Sequence, residues 1–238
     1  MKKNNFLFIF FLVFPVSVIS PCTIGLENDI PDSLLERFVI PRTGNSIELP
    51  SLHLLQTALE GYEILVQDHE LVRPEVITII DFSLPSDQKR IWVLDLLRAK
   101  VLFHCLVSHG RKSGELMAEY FSNTPGSNAS SLGFYITGET YIGNHGLSLA
   151  LDGIEKGIND NARERAIVIH GADYVSADFI RKYGRLGRSL GCPAIPEELK
   201  KEIIETIKSG SCLFIYRPSE SYMSNSQIIS KIVSVKKG

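Results

Sequence analysis

Between residues 76 and 107 the chain places three short runs rich in branched and aromatic residues, at 76–80, 90–94 and 101–107, with only turn-like segments between them. Runs of this length bounded by Pro, Ser and Asp read as strands, and connections this short set neighbouring strands antiparallel. Such a meander commits the chain to a mainly β domain, because its apolar faces must be buried against something. Apolar runs at 133–138, 147–151 and 166–169 continue the pattern, and 212–216 is expected to close the domain as a final strand. Helical spacing is confined to the flanks. Leu52, Leu55, Leu59, Tyr62 and Val66 mark a helix over 51–67, and 32–38, 176–183 and 196–207 are shorter candidates. The expected architecture is therefore mainly β with appended helices: a β-sandwich or curled sheet capped by short helices. The short helical N-terminal extension is expected to be a minor accessory. The long loop over 108–131, rich in Gly, Ser, Asn and Pro, is of a length that usually has a functional reason.

The N-terminus reads differently. Lys2 and Lys3 precede an unbroken apolar run over 6–14 that ends at Pro15. That run is too short to span a bilayer comfortably and has the layout of an export signal. Ile19-Ser20-Pro21-Cys22 resembles a degenerate lipobox with Cys22 as the acylated residue, so membrane attachment is expected only through that anchor. An exported protein of the periplasm or cell envelope follows. The expected division is a signal peptide over 1–21, an N-terminal extension with a helix over 22–75, a catalytic domain over 76–217 and a C-terminal tail over 218–238. A formal net charge of −2 speaks against a nucleic-acid partner, which would call for a basic excess.

Three nucleophiles compete. Gly187-Arg188-Ser189-Leu190-Gly191 has the spacing of a serine elbow, but no buried strand feeds it and no helix leaves directly from it. Ser86-Asp87-Gln88-Lys89 has the Ser/Lys spacing of penicillin-binding enzymes, but lies in a turn between two strands and lacks the companion motif. The third is Cys192 with His170. His170 ends the apolar run 166–169, a rigid mounting for a base, and Gly171 beside it leaves room for a substrate backbone. Cys192 sits in Gly191-Cys192-Pro193, outside any periodic segment, ahead of the helix expected from Pro196. A helix N-terminus and a nearby imidazole both favour a thiolate, so its pKa is expected below the free-thiol value of about 8.5. Cys105 and Cys212 lie in apolar runs and read as buried core residues. No metal-ligand spacing is present in the sequence, and the chemistry calls for no cofactor.

Ile169-His170-Gly171-Ala172, followed by Gly187-Arg188-Ser189-Leu190-Gly191-Cys192-Pro193, resembles the signature of YkuD-type L,D-transpeptidases, and more closely their murein L,D-transpeptidase catalytic-domain branch. The segments 78–83, 108–111, 121–123, 130–133, 159–162 and 184–189 resemble that branch too, so the similarity spans about residues 50–217. The resemblance implies Cys192 as nucleophile and His170 as its base, with Ser189 and Gly191 shaping the cysteine loop. The common form of the motif has a histidine where this chain has Leu190. His145, in Gly143-Asn144-His145-Gly146, is a candidate for that missing contribution, with a surface-loop histidine as the alternative.

The implied reaction is attack of Cys192 on the carbonyl of an L-centre in a peptidoglycan stem peptide. The terminal D-residue leaves, and an amine from a second stem resolves the thioacyl-enzyme into a crosslink. Developing oxyanion charge needs N–H donors, and Pro193 has none to offer, so Gly191, Cys192 and Leu190 are the expected hole. Among the basic residues 181–188, Arg188 lies nearest the nucleophile and is the candidate for gripping a stem carboxylate. Asp173 is a further candidate, as orienter of His170. The same Cys/His pair also suits an L,D-carboxypeptidase, or a murein endopeptidase or amidase. A non-catalytic murein-binding module is the alternative of a different class.

Overall fold

The three opening runs pair as an antiparallel meander in the computed structural model, which describes residues 33–39, 48–68 and 71–236. They are β1 (Val76–Asp81), β2 (Ile91–Asp95) and β3 (Lys100–Cys105). Five more strands follow: β4 (Gly133–Gly143), β5 (Gly146–Gly153), β6 (Val168–Ala172), β7 (Ala194–Pro196) and β8 (Cys212–Tyr216). All eight join one sheet in the order β3-β2-β1-β8-β4-β5-β6-β7. The expectation of a sandwich or a curled sheet resolves to the latter. Just past β3, the Ser108 N–H donates to the Ala194 carbonyl of β7 at 2.8 Å, and Gly110 bridges Ser189, so the chain leaving one edge strand reaches the other.

The last strand does not close the sheet from an edge. β8 lies in its middle, parallel to β1 and antiparallel to β4, and all five of its residues are buried. A strand covered on both faces reads as a continuous apolar run, which is why CLFIY and VITI show no alternation. β4 runs five residues beyond the expected 133–138, carrying polar residues to a tight hairpin where Gly143 pairs with Gly146.

Six α-helices complete the described residues: α1 (Leu34–Val39), α2 (Leu52–Asp68), α3 (Ala177–Tyr183), α4 (Lys200–Ile207), α5 (Glu220–Asn225) and α6 (Gln227–Val235). The helix expected from 196 starts later. Residues Ala194–Pro196 are strand, a 3-10 turn spans Glu197–Leu199, and α4 begins only at Lys200. Helix α2 is no minor accessory: Leu54, Leu55, Ala58, Leu59, Tyr62 and Leu65 belong to the main core. A Cβ on Gly61 would fall 2.1 Å from the Phe134 ring, so only glycine lets this helix lie against β4. Residues expected as a tail also fold. Ser219 and Ser226 cap α5 and α6, and Ile228, Ile229 and Ile232 reach the same core. Each fully buried side chain of this kind stabilises the fold by about 1.5–3 kcal/mol before entropy is counted. The expected signal segment and Cys22 lie outside the described residues, within which no helix is long and apolar enough to cross a membrane.

Candidate active site

Parallel pairing of β6 with β7 sets the two key residues side by side. His170 is opposite Ala194 in the register, so Cys192, two residues before Ala194, falls next to Val168, two residues before His170. The Val168 N–H accordingly points at Cys192 Sγ, 3.5 Å away, and the thiol faces the Ala166 carbonyl at 3.7 Å. His170 and Cys192 line one open cavity of about 520 Å³, together with His145, Arg188, Ser189 and Leu190. The cysteine is partly exposed there, whereas His170 is buried.

His170 Nδ1 is 2.8 Å from the Gly171 carbonyl, an acceptor only, so this nitrogen carries the proton and donates it. Nε2 is left with its lone pair, as a base requires. Burial holds the imidazole below the ordinary histidine range; the Gly171 carbonyl works the other way, and His145 lowers it further. His145 stacks on His170, with ring centroids 4.3 Å apart and planes 19° from parallel. The two-residue turn between β4 and β5 carries His145 there, because β5 pairs with β6 through Ser148 and His170. Asp173 makes no side-chain hydrogen bond to His170; the backbone of Gly171 takes the orienting role. Gly171 itself does not line the cavity. A Cβ there would meet Glu197 Oε2 at 2.3 Å, so its small size accommodates the turn behind the sheet rather than a substrate backbone.

The thiol differs from expectation. Burial pushes the Cys192 pKa up rather than down, against the opposing pulls of the Val168 N–H and the Arg165 guanidinium. No helix start lies close in sequence to stabilise a thiolate, since β7 and the 3-10 turn intervene. Burial thus works against the charged form of both the thiol and the imidazole.

Ser189 acts as a brace. Its hydroxyl accepts from the Gly191 N–H at 3.0 Å and donates to the Cys192 carbonyl at 2.6 Å. Gly191 takes φ +131°, a conformation that disfavours any side chain. The Gly191 N–H is thereby committed and leaves the expected oxyanion hole. Among the described residues the Leu190 and Cys192 N–H groups have no hydrogen-bond partner on another residue, the latter facing its own sulfur. Arg188 reaches the cavity wall, but its guanidinium is bound to Glu115 at 2.6 Å and to the Gly114 carbonyl at 3.1 Å. Arg185 grips the same carboxylate at 3.0 Å, so these two cations pin the long loop.

Arg165 is the residue that sequence reading passed over. It lines the cavity and ties down the 108–131 loop through the Ser122 carbonyl at 2.8 Å, the Ser131 hydroxyl at 3.0 Å and the Ala129 carbonyl at 2.6 Å. It also supplies positive charge toward Cys192. One of two arginines in the polar stretch 159–165, it carries no pattern that would single it out. Tyr174 is a second such residue, half-buried on the cavity wall, its phenol pushed up to about 12 by burial. The rival serines are accounted for structurally: Ser86 is buried and its hydroxyl accepts from the Leu186 N–H at 3.3 Å, bracing the segment ahead of the cysteine loop. Among the described residues no cluster of His, Cys, Asp and Glu could hold a metal. Cys105 and Cys212 are buried and unpaired, with thiols pushed up by burial.

Comparison with known proteins places these features in a family. Solved structures similar to this chain include an L,D-transpeptidase from Mycobacterium smegmatis, at 10% identity and a TM-score of 0.39, covering 60% of this chain and 59% of that one. An L,D-transpeptidase from Mycobacterium tuberculosis H37Rv matches at 13% identity and a TM-score of 0.39, covering 60% and 58%. L,D-transpeptidase 3 from the same species matches at 12% identity and a TM-score of 0.39, covering 60% of each chain. This chain thus spans about three-fifths of the length of those structures, likenesses too distant to carry any argument about the site. Comparison with curated proteins finds no match. The family model for the L,D-transpeptidase catalytic domain covers residues 48–216, from just before α2 to the end of β8, and the chain belongs to that YkuD-type family.

Proposed function

We propose that this chain is a cysteine-dependent murein L,D-transpeptidase that forms or remodels peptidoglycan crosslinks through a thioacyl-enzyme. The observation that carries the reading is the tautomer of His170: with Nδ1–H given to the Gly171 carbonyl, Nε2 is free to act as base in the cavity it shares with Cys192. Because burial disfavours both charged forms, proton transfer accompanies attack instead of preceding it. The Cys192 thiol gives its proton to His170 Nε2 as Sγ bonds to the carbonyl carbon of an L-centre in a stem peptide. The oxyanion meets the N–H groups of Cys192 and Leu190, with Arg165 adding positive charge nearby. Collapse breaks the C–N bond, the departing amine takes the proton from His170, and a thioester remains. An amine from a second stem then attacks the thioester, His170 carries its proton to sulfur, and the free thiol returns. His145 and Arg188 are assigned to substrate contact on the cavity wall, Arg188 while it remains paired with Glu115. Ser189, Gly191 and Gly171 hold the nucleophile and base in place.

The protein is proposed to work outside the cytoplasm, where murein stems are, after removal of its N-terminal segment. Attachment through a lipid on Cys22 is part of the same proposal. Purified protein given tetrapeptide stems is expected to make crosslinked dimers as well as free D-alanine, because a bound acceptor amine has a high effective concentration relative to water. Mass spectrometry of the products tests this. Tripeptide and D-alanine alone, with acceptor in excess, would assign an L,D-carboxypeptidase. Cleavage of ready-made crosslinks without new ones would assign an endopeptidase.

A further inference from the structure

A second cavity, also of about 520 Å³, lies away from the nucleophile. One wall is the loop segment 119–123, another the turn 156–158, and the third the helix pair α5 and α6, which lies beyond the residues shared with the family. Its volume is in the range of small-ligand sites, roughly 300–1,000 Å³.

Two separate pieces of the sequence, 121–123 and 159–161, meet at its rim, neither used by the nucleophile. Asn123 donates to Asp160 at 2.7 Å and accepts from the Asn161 N–H at 3.1 Å, which locks segment 121–123 onto 159–161. The floor is fixed by a buried knot. Glu155 accepts from the Phe134 N–H at 2.8 Å, the Tyr222 hydroxyl at 3.0 Å and the Ser226 hydroxyl, so the helix pair is held to the sheet through one carboxyl group. The cavity is therefore built from rigid parts.

The lining defines the ligand. Tyr120 lines the cavity with more than half of its surface exposed, and its ring stacks on no other ring among the described residues. Around it stand amide and hydroxyl groups of Asn225, Gln227 and Ser221. One acid, Glu119, and one base, Lys156, leave the cavity without net charge, which suits neither a phosphate nor a polyanion. A flat apolar platform ringed by neutral polar groups matches a ligand with an apolar face and many hydroxyl and amide edges. The two cavities also share a wall, since Arg165 of the active site donates to the backbone of Ser122, which lines the second cavity.

We propose that this second cavity is a subsite for an N-acetylated amino-sugar chain, the strand to which murein stem peptides are attached. The inference rests on the murein reading of the active site for its choice of polymer. A peptide-free N-acetylglucosamine oligomer titrated into the full chain carrying Cys192→Ala, followed by amide chemical shifts and calorimetry, tests it. Saturable binding is expected, with shifts at Tyr120, Lys156 and Gln227 and not at His170. Tyr120→Ala is expected to weaken it about tenfold, whereas Tyr120→Phe, which keeps the ring face, retains it. Absence of saturable binding, shifts centred on the Cys192 cavity, or unchanged affinity in Tyr120→Ala would overturn the subsite. Turnover of sugar-free stem peptide by the wild-type chain is measured in parallel and judges the murein reading separately: sugar binding without turnover sinks that reading and keeps a sugar site, and turnover without sugar binding does the reverse.

Discussion

An apolar run ending in His-Gly and a Gly-Cys-Pro outside any periodic segment made Cys192 and His170 candidates, the family resemblance singled them out, and the structure sets both on one cavity. The resemblance already implied that Ser189 and Gly191 shape the cysteine loop, but the bonds by which such neighbours act were not legible, since they depend on which backbone group each side chain meets. Ser189 is the clearest instance. The structure makes it a strut between Gly191 and Cys192, so Cys192→Ala is expected to abolish turnover of stem peptides. Ser189→Ala should lower it about 10- to 100-fold, as loss of a buried hydrogen bond of ~1–3 kcal/mol would do. Steady-state rates check both; an active Cys192→Ala beside a dead Ser189→Ala would restore the serine elbow. The pKa directions give a second prediction. His170 must be neutral to accept a proton, and its pKa lies below the usual ~6.5, so the acid limb of kcat/KM should fall below that value. The thiol lies above its usual value, so iodoacetamide labelling of Cys192 in the resting protein should accelerate only at alkaline pH. Labelling that levels off below pH 8 would mean a preformed thiolate, as the sequence alone suggested.

At the scale of elements, β1, β2, β3 and α2 were placed within a residue or two from pattern, because each is a sustained apolar signal. What failed was position in the sheet. Nothing in CLFIY distinguishes a closing edge strand from the central one it forms, and Ala194–Pro196 is too short to register as a strand. The C-terminal helices were missed because their isoleucines look like a tail until α2 is there to receive them. Glu155 is the joint on which that packing turns. Burial raises its pKa, so its contribution to stability is full at low pH and diminishes as pH rises through the folded-state value. Glu155→Ala strands three buried donors and should cost about 3 kcal/mol, a Tm loss of roughly 6–12 °C for a domain of this size. Relative to Glu155→Gln, the wild type should gain stability as pH falls. Thermal melts across pH check both, and an unchanged Tm in Glu155→Ala would remove the carboxyl from its place as the joint.

For the whole molecule, the curl of the sheet is what assembles the site. Residues 108–111 leave β3 at one edge and hydrogen-bond to Ser189 and Ala194 at the other, so the cysteine loop is held between the strand that carries the base and the loop that Arg165 anchors. A mainly β chain was readable from the strand runs; its closure was not, because it depends on contacts between segments some eighty residues apart. On the proposed mechanism this closure delivers Cys192, and no other side chain, to the carbonyl under attack. Rapid quenching of the protein with a tetrapeptide stem, followed by proteolysis and peptide mass spectrometry, shows which side chain carries the acyl group. A tripeptide-sized adduct on the peptide containing Cys192, removed by hydroxylamine as a thioester is and absent in Cys192→Ala, is the predicted result. Product formation with no such adduct, or with the adduct on Ser189, would contradict it.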